Sequence, residues 1–143
     1  PKDIIMKLSD FYFVEKHQEG TMMPIPLPNG KDSGEWLQVV GPDCDAAVRA
    51  GRAYTRAVYA LKDSLSELDG QCKEKGDWTL YNNEYTWAVE KLNHQMAKEI
   101  VTGWSFDEPF TLESLENLLL QYRGLSELIL AHHTKSKELL LEK

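Results

Sequence analysis

The sequence of 143 residues predicts an α+β fold that is predominantly helical, in which a small N-terminal antiparallel β element precedes about four helices. Apolar residues recur at spacings of three or four over two long stretches, which is the pattern of amphipathic helices. Five of the six prolines fall in the first 42 residues, among short β-prone runs. We expect one domain with three parts: a β or extended arm over residues 1–42, a helical hairpin over 43–102, and a Gly-Trp turn with a C-terminal helix pair over 103–143.

The first 42 residues predict the β element. Phe11–Glu15 is short and aromatic, as in a first strand. Pro24–Pro28 alternates proline with apolar residues, which excludes a central strand and indicates an edge strand or an extended arm. Asn29-Gly30 is a hairpin turn signal, and Glu35–Val40 follows as a second strand. The alternative is that residues 16–34 form a mobile loop.

Two apolar stripes predict an antiparallel pair of long helices. The first helix begins at Asp43 or Asp45, whose carboxylates suit a first helical turn, and it ends at Gly70. A polar connection over residues 70–79 leads to the second helix, over about residues 80–102. The first stripe consists of Ala47, Ala50, Tyr54, Val58, Leu61, Leu65 and Leu68. The second consists of Tyr81, Tyr85, Ala88, Leu92, Met96 and Ile100, widened by Trp87 and Val89.

Val101–Phe110 places three aromatic rings, a glycine and a proline between the hairpin and the rest of the chain. We interpret it as a turn whose rings dock the helices on either side. Its structural signature is Gly103, Trp104, Phe106 and Phe110, and we expect the three rings to be core residues. The alternative is that some of these rings stay exposed as anchors of an interface.

The C-terminal part predicts two more helices. Thr111 can cap the first, over about residues 112–123, and Gly124 ends it. The second begins at about Leu125 and continues to the end of the sequence. Residues 132–137 are polar on every side of this helix, so we expect its last turns to fray or to project from the protein.

Composition and charge argue against several classes of function. The net charge is −7 and the basic residues form no run, which argues against nucleic acid as a partner. No apolar run approaches the roughly 20 residues that span a bilayer, and no signal peptide is visible, so we expect no membrane association. Cys44 and Cys72 lie near opposite ends of one predicted helix, too far apart for a disulfide, so we expect free thiols.

Patterns that would indicate catalysis or metal binding are missing from the sequence. His132 and His133 are adjacent, so on a helix they point about 100° apart and cannot share one metal ion. His94 has only Glu90 at helical spacing, which we interpret as a solvated polar pair. The sequence contains no Cys-x-x-Cys, His-Glu-x-x-His, glycine-rich phosphate loop or Gly-x-Ser-x-Gly. We therefore predict that the protein is not an enzyme and uses no cofactor or metal.

Partner binding is the remaining kind of function, and seven residues are candidates for it. Adjacent methionines in a proline-bounded segment suit an adaptable contact surface, and apolar helix stripes suit a helix-in-groove mode. The candidates are Met22, Met23, Ile25 and Leu27 on the arm, Tyr54 on the first helix, and Leu115 and Leu119 on the third. For Tyr54 the alternative is a place in the core or at its rim.

Two parts of the sequence, one within residues 100–119 and one within residues 36–44, resemble tail assembly chaperones of long-tailed bacteriophages. Ile100–Phe106 and Pro109–Leu119 together resemble the family's helix that ends in a Gly-Trp turn, followed by a short linker and a Leu-rich helix. Trp36–Cys44 is similar to the family's strand-turn-helix entry, which often has Ser where this chain has Cys44. The resemblance implies an assembly factor in the host bacterial cytoplasm that is absent from the mature virion.

The same resemblance implies two partners. The first is the tape measure protein, which such chaperones hold soluble until tail tube subunits polymerise around it. The second is the tail tube protein, contacted through a longer product of a ribosomal frameshift. The alternative is an acidic structural or interaction module, such as a head–tail connector or another virion protein. Self-association through the Pro-rich arm is also left open.

Overall fold

The structure is a computed structural model that describes residues 5–141. It confirms an α+β fold that is mostly helical, with 65% of residues in helices. A 3-10 helical turn over Leu8–Phe11 precedes the first α-helix. The three strands are β1 (Thr21–Pro26), β2 (Asp32–Val39) and β3 (Val101–Trp104). The α-helices are α1 (Phe13–Glu19), α2 (Asp45–Ser64), α3 (Ser66–Lys75), α4 (Thr79–Ile100), α5 (Leu112–Gln121) and α6 (Leu125–Leu141).

The three strands form an antiparallel sheet in the order β1-β2-β3, so β1 is an edge strand as its prolines predict. The predicted Asn-Gly hairpin is confirmed: the amide of Gly30 donates to the carbonyl of Leu27 at 2.8 Å, and Leu27 donates to the carbonyl of Lys31 at 2.7 Å. The register places Met23 opposite Leu37. Since helix and strands occupy most of residues 16–34, the alternative of a mobile loop is wrong.

The predicted strand over Phe11–Glu15 is also wrong, because the chain there is helical. The amide of Lys7 donates to the Asp10 carboxylate at 2.8 Å, which satisfies a backbone group at the start of the 3-10 turn. Helix α1 then turns His17 into the protein interior, where only 1% of its surface is exposed. Local capping and this buried contact outweigh the β propensity of the aromatic residues.

The segment predicted as a Gly-Trp turn is instead strand β3. Helix α4 passes directly into it, and the register pairs Gly103 with Gln38 and Trp104 with Leu37. The amide of Ser105 continues the pairing by donating to the carbonyl of Trp36 at 3.0 Å. The correction follows from pairing with a strand that lies over sixty residues earlier, which the local sequence does not encode.

The two long helices form the predicted antiparallel hairpin. The first half of the hairpin ends later in the sequence than predicted. Helix α2 is interrupted at Leu65, and α3 continues to Lys75. Gly70 lies inside α3, so its predicted role as a helix stop is wrong. The stop is Gly76, which adopts the left-handed conformation (φ 69°) that a glycine C-cap requires.

The core lies where the sheet meets α4, α5, α6 and the start of α2. Its fully buried side chains include Leu37, Val39, Ile100, Leu115, Leu119, Leu125 and Ile129. Thr111 caps α5 through its side chain, which accepts from the amide of Ser114 at 3.0 Å, as predicted. Helix α6 begins immediately after Gly124, also as predicted.

The expectation that α6 frays over residues 132–137 is wrong. His133 and Ser136 are buried. A ring nitrogen of His133, Nδ1, lies 2.7 Å from the carbonyl oxygen of Val40, and Ser136 Oγ donates to the carbonyl of His133 at 2.7 Å. These hydrogen bonds satisfy the polar groups, which allows a polar helix segment to pack against α1 and the sheet.

Candidate interaction surface

Four of the seven predicted partner-binding residues lie in the core. Met23, Ile25, Leu115 and Leu119 are each at most 5% exposed, so these side chains offer no surface to a partner in this fold. On the same strand Met22 is 60% exposed, and Leu27 beyond it is 44% exposed. Successive strand residues point to opposite faces of a sheet, which separates the two adjacent methionines into one core residue and one surface residue.

Tyr54 is half-buried, in agreement with the core-or-rim alternative, and it also lines the concavity between α2 and α4. Its hydroxyl donates to Asn93 Oδ1 at 2.9 Å, and Asn93 Nδ2 donates in turn to Glu127 Oε1 at 3.5 Å. Burial raises the pKa of Tyr54, with further contributions from Tyr85 and Glu127. The hydroxyl therefore stays protonated at neutral pH and links α2 to α4 and α6.

The aromatic signature forms a local cluster beside the core. The ring of Trp104 meets those of Phe106 and Phe110 edge-to-face, at centroid distances of 5.4 and 5.1 Å. Its indole N–H donates to the carbonyl of Glu108 at 2.9 Å. The three rings are half-buried and pack against the core. This is the arrangement expected of residues that fix the chain between β3 and α5.

A groove runs between α2 and α4. Its floor is lined by Ala50, Ala53, Ala57, Leu92 and Met96, around a cavity of about 540 Å³. Alanines on α2 leave the space, because they face longer side chains of α4 without filling the gap between the two helices. On the α2 side it is lined by Arg49, Arg52 and Arg56, and on the α4 side by Gln95 and Glu99.

A second concavity of about 530 Å³ continues the groove toward the hairpin tip and shares Ala57 and Leu92 with the first. Its further lining includes Ala60, Leu61, Ala88 and Trp87. The amino group of Lys91 lies 4.7 Å from the centroid of the Trp87 ring. From Ala50 to Ser64 the combined groove follows α2 for about 20 Å, which matches roughly four turns of a partner helix.

The hairpin also exposes large apolar side chains. Tyr59, Leu80 and Trp87 are each more than half exposed. Trp87, which was predicted to widen the apolar stripe of α4, lines the groove and remains exposed. Among residues 51–92, all of which the structure describes, Cys72 alone is buried. A two-helix layer thus leaves apolar surface that nothing in the described chain covers.

Polar side chains elsewhere serve packing. His132 Nε2 lies 2.7 Å from Thr21 Oγ1, while His133 contacts the Val40 carbonyl, so the two rings point to different partners. Within residues 5–141, His, Cys, Asp and Glu side chains nowhere gather in threes as a metal site would need. Cys44 and Cys72 are buried free thiols. In the same range, no helix is long and apolar enough to cross a bilayer.

The fold and the groove define the class of protein: a mostly helical α+β protein whose hairpin presents an apolar groove. The chain belongs to the phage tail assembly chaperone family, whose model matches residues 49–139. The match extends from the first turns of α2 almost to the end of α6 and includes both grooved helices. Trp36–Cys44, one of the two segments that resemble the family, lies outside it. No individual curated protein and no solved structure matches the chain.

Proposed function

We propose that this protein binds the tape measure protein of its phage, keeps it soluble and helps to recruit tail tube subunits during tail assembly. The observation that supports the proposal is the family match over residues 49–139, the region that contains the α2–α4 groove. The proposal includes a place of action in the host bacterial cytoplasm and absence from the mature virion. Binding and release, without covalent chemistry, are sufficient for this role.

The groove suggests how binding works. A long helical protein that is not yet enclosed in a tail tube exposes apolar helix faces, and such faces aggregate. An amphipathic helix can bury its apolar stripe in a groove between two other helices. Ala53, Ala57 and Leu92 form a shallow apolar floor for this contact, and exposed Trp87 extends the apolar surface toward the tip of the hairpin.

Recruitment of the tail tube protein is the second part of the proposal. We assign it to a longer, frameshifted product that shares these residues. The groove then holds the tape measure protein while the additional residues contact the tube subunit. A pull-down of tube protein by the longer product, but not by this chain, is the expected result.

The test of the first part is co-expression with the tape measure protein encoded by the same phage. The wild-type chain should raise the soluble fraction of that protein and co-purify with it. Ala53→Trp fills the groove from an exposed position and should reduce co-purification about tenfold or more. Ala131→Trp, at an exposed position of α6 away from the groove, is the matched control and should behave like wild type.

Two results would contradict the proposal. If the wild-type chain neither co-purifies with the tape measure protein nor changes its solubility, the chaperone function fails for this pair. If mass spectrometry finds the chain as a stoichiometric component of purified virions, the alternative of a head–tail connector or another virion protein replaces it.

A further inference from the structure

Three of the four arginines of the chain lie within eight residues on α2. Arg49, Arg52 and Arg56 follow helical spacing, so they form a row about 10 Å long along one side of the groove. All three are exposed. Within the described part of the chain, none of them has a carboxylate within 4 Å, whereas Arg123 pairs with Glu90 at 3.6 Å.

The arginine row is not explained by the stability of α2. Like charges three and four residues apart on a helix repel each other by a few tenths of a kcal/mol per pair. The protein as a whole has a charge of −7, so the local row of three positive charges is opposite in sign to the net charge. Such a row beside an apolar floor is a recognition feature for a partner that is both apolar and acidic.

We propose that the groove between α2 and α4 binds an amphipathic helix with a row of acidic residues beside its apolar stripe, and that Arg49, Arg52 and Arg56 pair with those carboxylates. The identification of this helix as part of the tape measure protein rests on the proposed function. Arginine suits the role because its planar guanidinium donates two parallel hydrogen bonds to one carboxylate. Carboxylates three or four residues apart along the partner helix match the spacing of the arginine row.

The surroundings of the row favour a protein partner over nucleic acid. Arginines also bind phosphates, but the groove has an alanine- and leucine-rich floor. A sugar-phosphate backbone offers no apolar face to fill such a floor. An amphipathic helix uses the arginine row and the floor together.

The test uses two synthetic helical peptides of about 20 residues, each with leucines at positions i, i+3, i+4 and i+7. One peptide has glutamates along one flank of the stripe, and the other has lysines at the same positions. Fluorescence anisotropy should give at least about tenfold tighter binding of the glutamate peptide to the wild-type protein. This preference should shrink in about 0.5 M salt, which screens exposed ion pairs.

Charge reversal sharpens the test. Arg52→Glu with Arg56→Glu should bind the lysine peptide better than the glutamate peptide. The matched control, Lys73→Glu with Lys75→Glu on α3, makes the same change in net charge away from the groove and should keep the wild-type preference. Circular dichroism of both variants should match wild type, since all four positions are exposed.

Four outcomes would overturn the inference. The first is equal binding of the two peptides by the wild-type protein. The second is loss of the preference for the glutamate peptide in the control variant as well. The third is binding of a duplex oligonucleotide that depends on Arg52 and Arg56. The fourth is wild-type self-association that the same two reversals abolish, which would make a second copy of this chain the occupant.

Co-expression with the tape measure protein separates this inference from the proposed function. If the wild-type chain solubilises that protein and the Arg52/Arg56 reversal does so equally well, the inference is wrong and the function stands. If the wild-type chain fails to solubilise it but discriminates between the two peptides as described, the function is wrong and the chemistry of the groove stands.

Discussion

The two ends of the molecule differ in how they bury apolar surface. The sheet end consists of the three strands, α1, α5, α6 and the adjoining turns of α2 and α4. It contains Leu37, Ile100 and Leu115, each with no exposed surface. The distal hairpin, residues 51–92, has Cys72 as its one buried residue, while Tyr59 and Trp87 are more than 60% exposed. The sheet end buries its apolar side chains within the fold, whereas the distal hairpin leaves apolar side chains exposed that a partner can cover.

The difference follows from the number of layers. At the sheet end, helices pack on a sheet and on one another, so each element is covered on more than one side. The distal hairpin is a pair of helices, and each can bury only the stripe that faces the other. Alanines of α2 at this contact leave the groove unfilled. Stability is therefore expected to reside at the sheet end, and binding at the hairpin.

The largest expected effect comes from truncating one leucine in each region. Leu115→Ala leaves a cavity in a closed core and should lower the free energy of unfolding by about 2–5 kcal/mol. Leu61→Ala removes a half-buried side chain at the groove and should cost no more than about 1–2 kcal/mol. Urea denaturation measures both, and one cooperative transition is expected for a single domain.

Equal losses in the two variants would remove the contrast between the regions. Two separate transitions, with Leu61→Ala shifting only one of them, would sharpen it by making the hairpin an independent unfolding unit.

Glycine substitutions give the next largest contrast. A Cβ at Gly41 would lie 2.5 Å from His17 Nδ1 and 2.6 Å from Leu140 Cδ1, so Gly41→Ala should destabilise by about 1–3 kcal/mol. Gly70 lies inside α3 with no atom within 4 Å of such a Cβ, so Gly70→Ala should stabilise by about 0.4–1 kcal/mol. Thermal unfolding followed by circular dichroism gives both signs. A destabilised Gly70→Ala variant would mean that the distal hairpin is tighter than the structure indicates.

The smallest expected effect is a dependence of the sheet end on pH. Burial lowers the pKa of both His132 and His133. His133 lowers the pKa of His132 further. The Val40 carbonyl partly opposes the shift of His133, and His17 adds to it. The nearby carboxylate of Asp43 lies 3.7 Å from His17 Nε2 and 3.7 Å from Lys137 Nζ.

The sign follows from comparing the folded and unfolded states. The unfolded histidines, with pKa values of about 6.5, take up protons more readily than the buried ones, so acid favours unfolding. The free energy of unfolding should be highest above the unfolded pKa of about 6.5. It should decrease as the pH falls below that value and become constant below the pKa values of the folded state. Hydrogen exchange at about pH 8 and pH 5.5, corrected for intrinsic rates, should show lost protection in α6 and β2 before α3. Equal loss in α3 would contradict the assignment to the sheet end.

Much of the helical architecture could be predicted because its signals are local. Apolar spacing predicted both long helices, Thr111 predicted the start of α5, and the prolines predicted an edge strand. The site was harder to predict. The arginine row was present in the sequence, but its position beside an apolar floor depends on which side of α2 faces α4. Adjacent Met22 and Met23 could not be separated into surface and core without the register of β1.

The sequence by itself determined the α+β class, the helical hairpin and the segments that resemble the family, because periodicity, capping residues and short motifs are properties of neighbouring residues. The tertiary structure alone decided that Val101–Trp104 is a strand, that polar α6 packs inward, and that Gly76 rather than Gly70 ends the first arm. Each of these depends on a partner or a backbone conformation that nearby residues do not specify. The groove belongs to the second group, because a concavity exists only once two helices have packed.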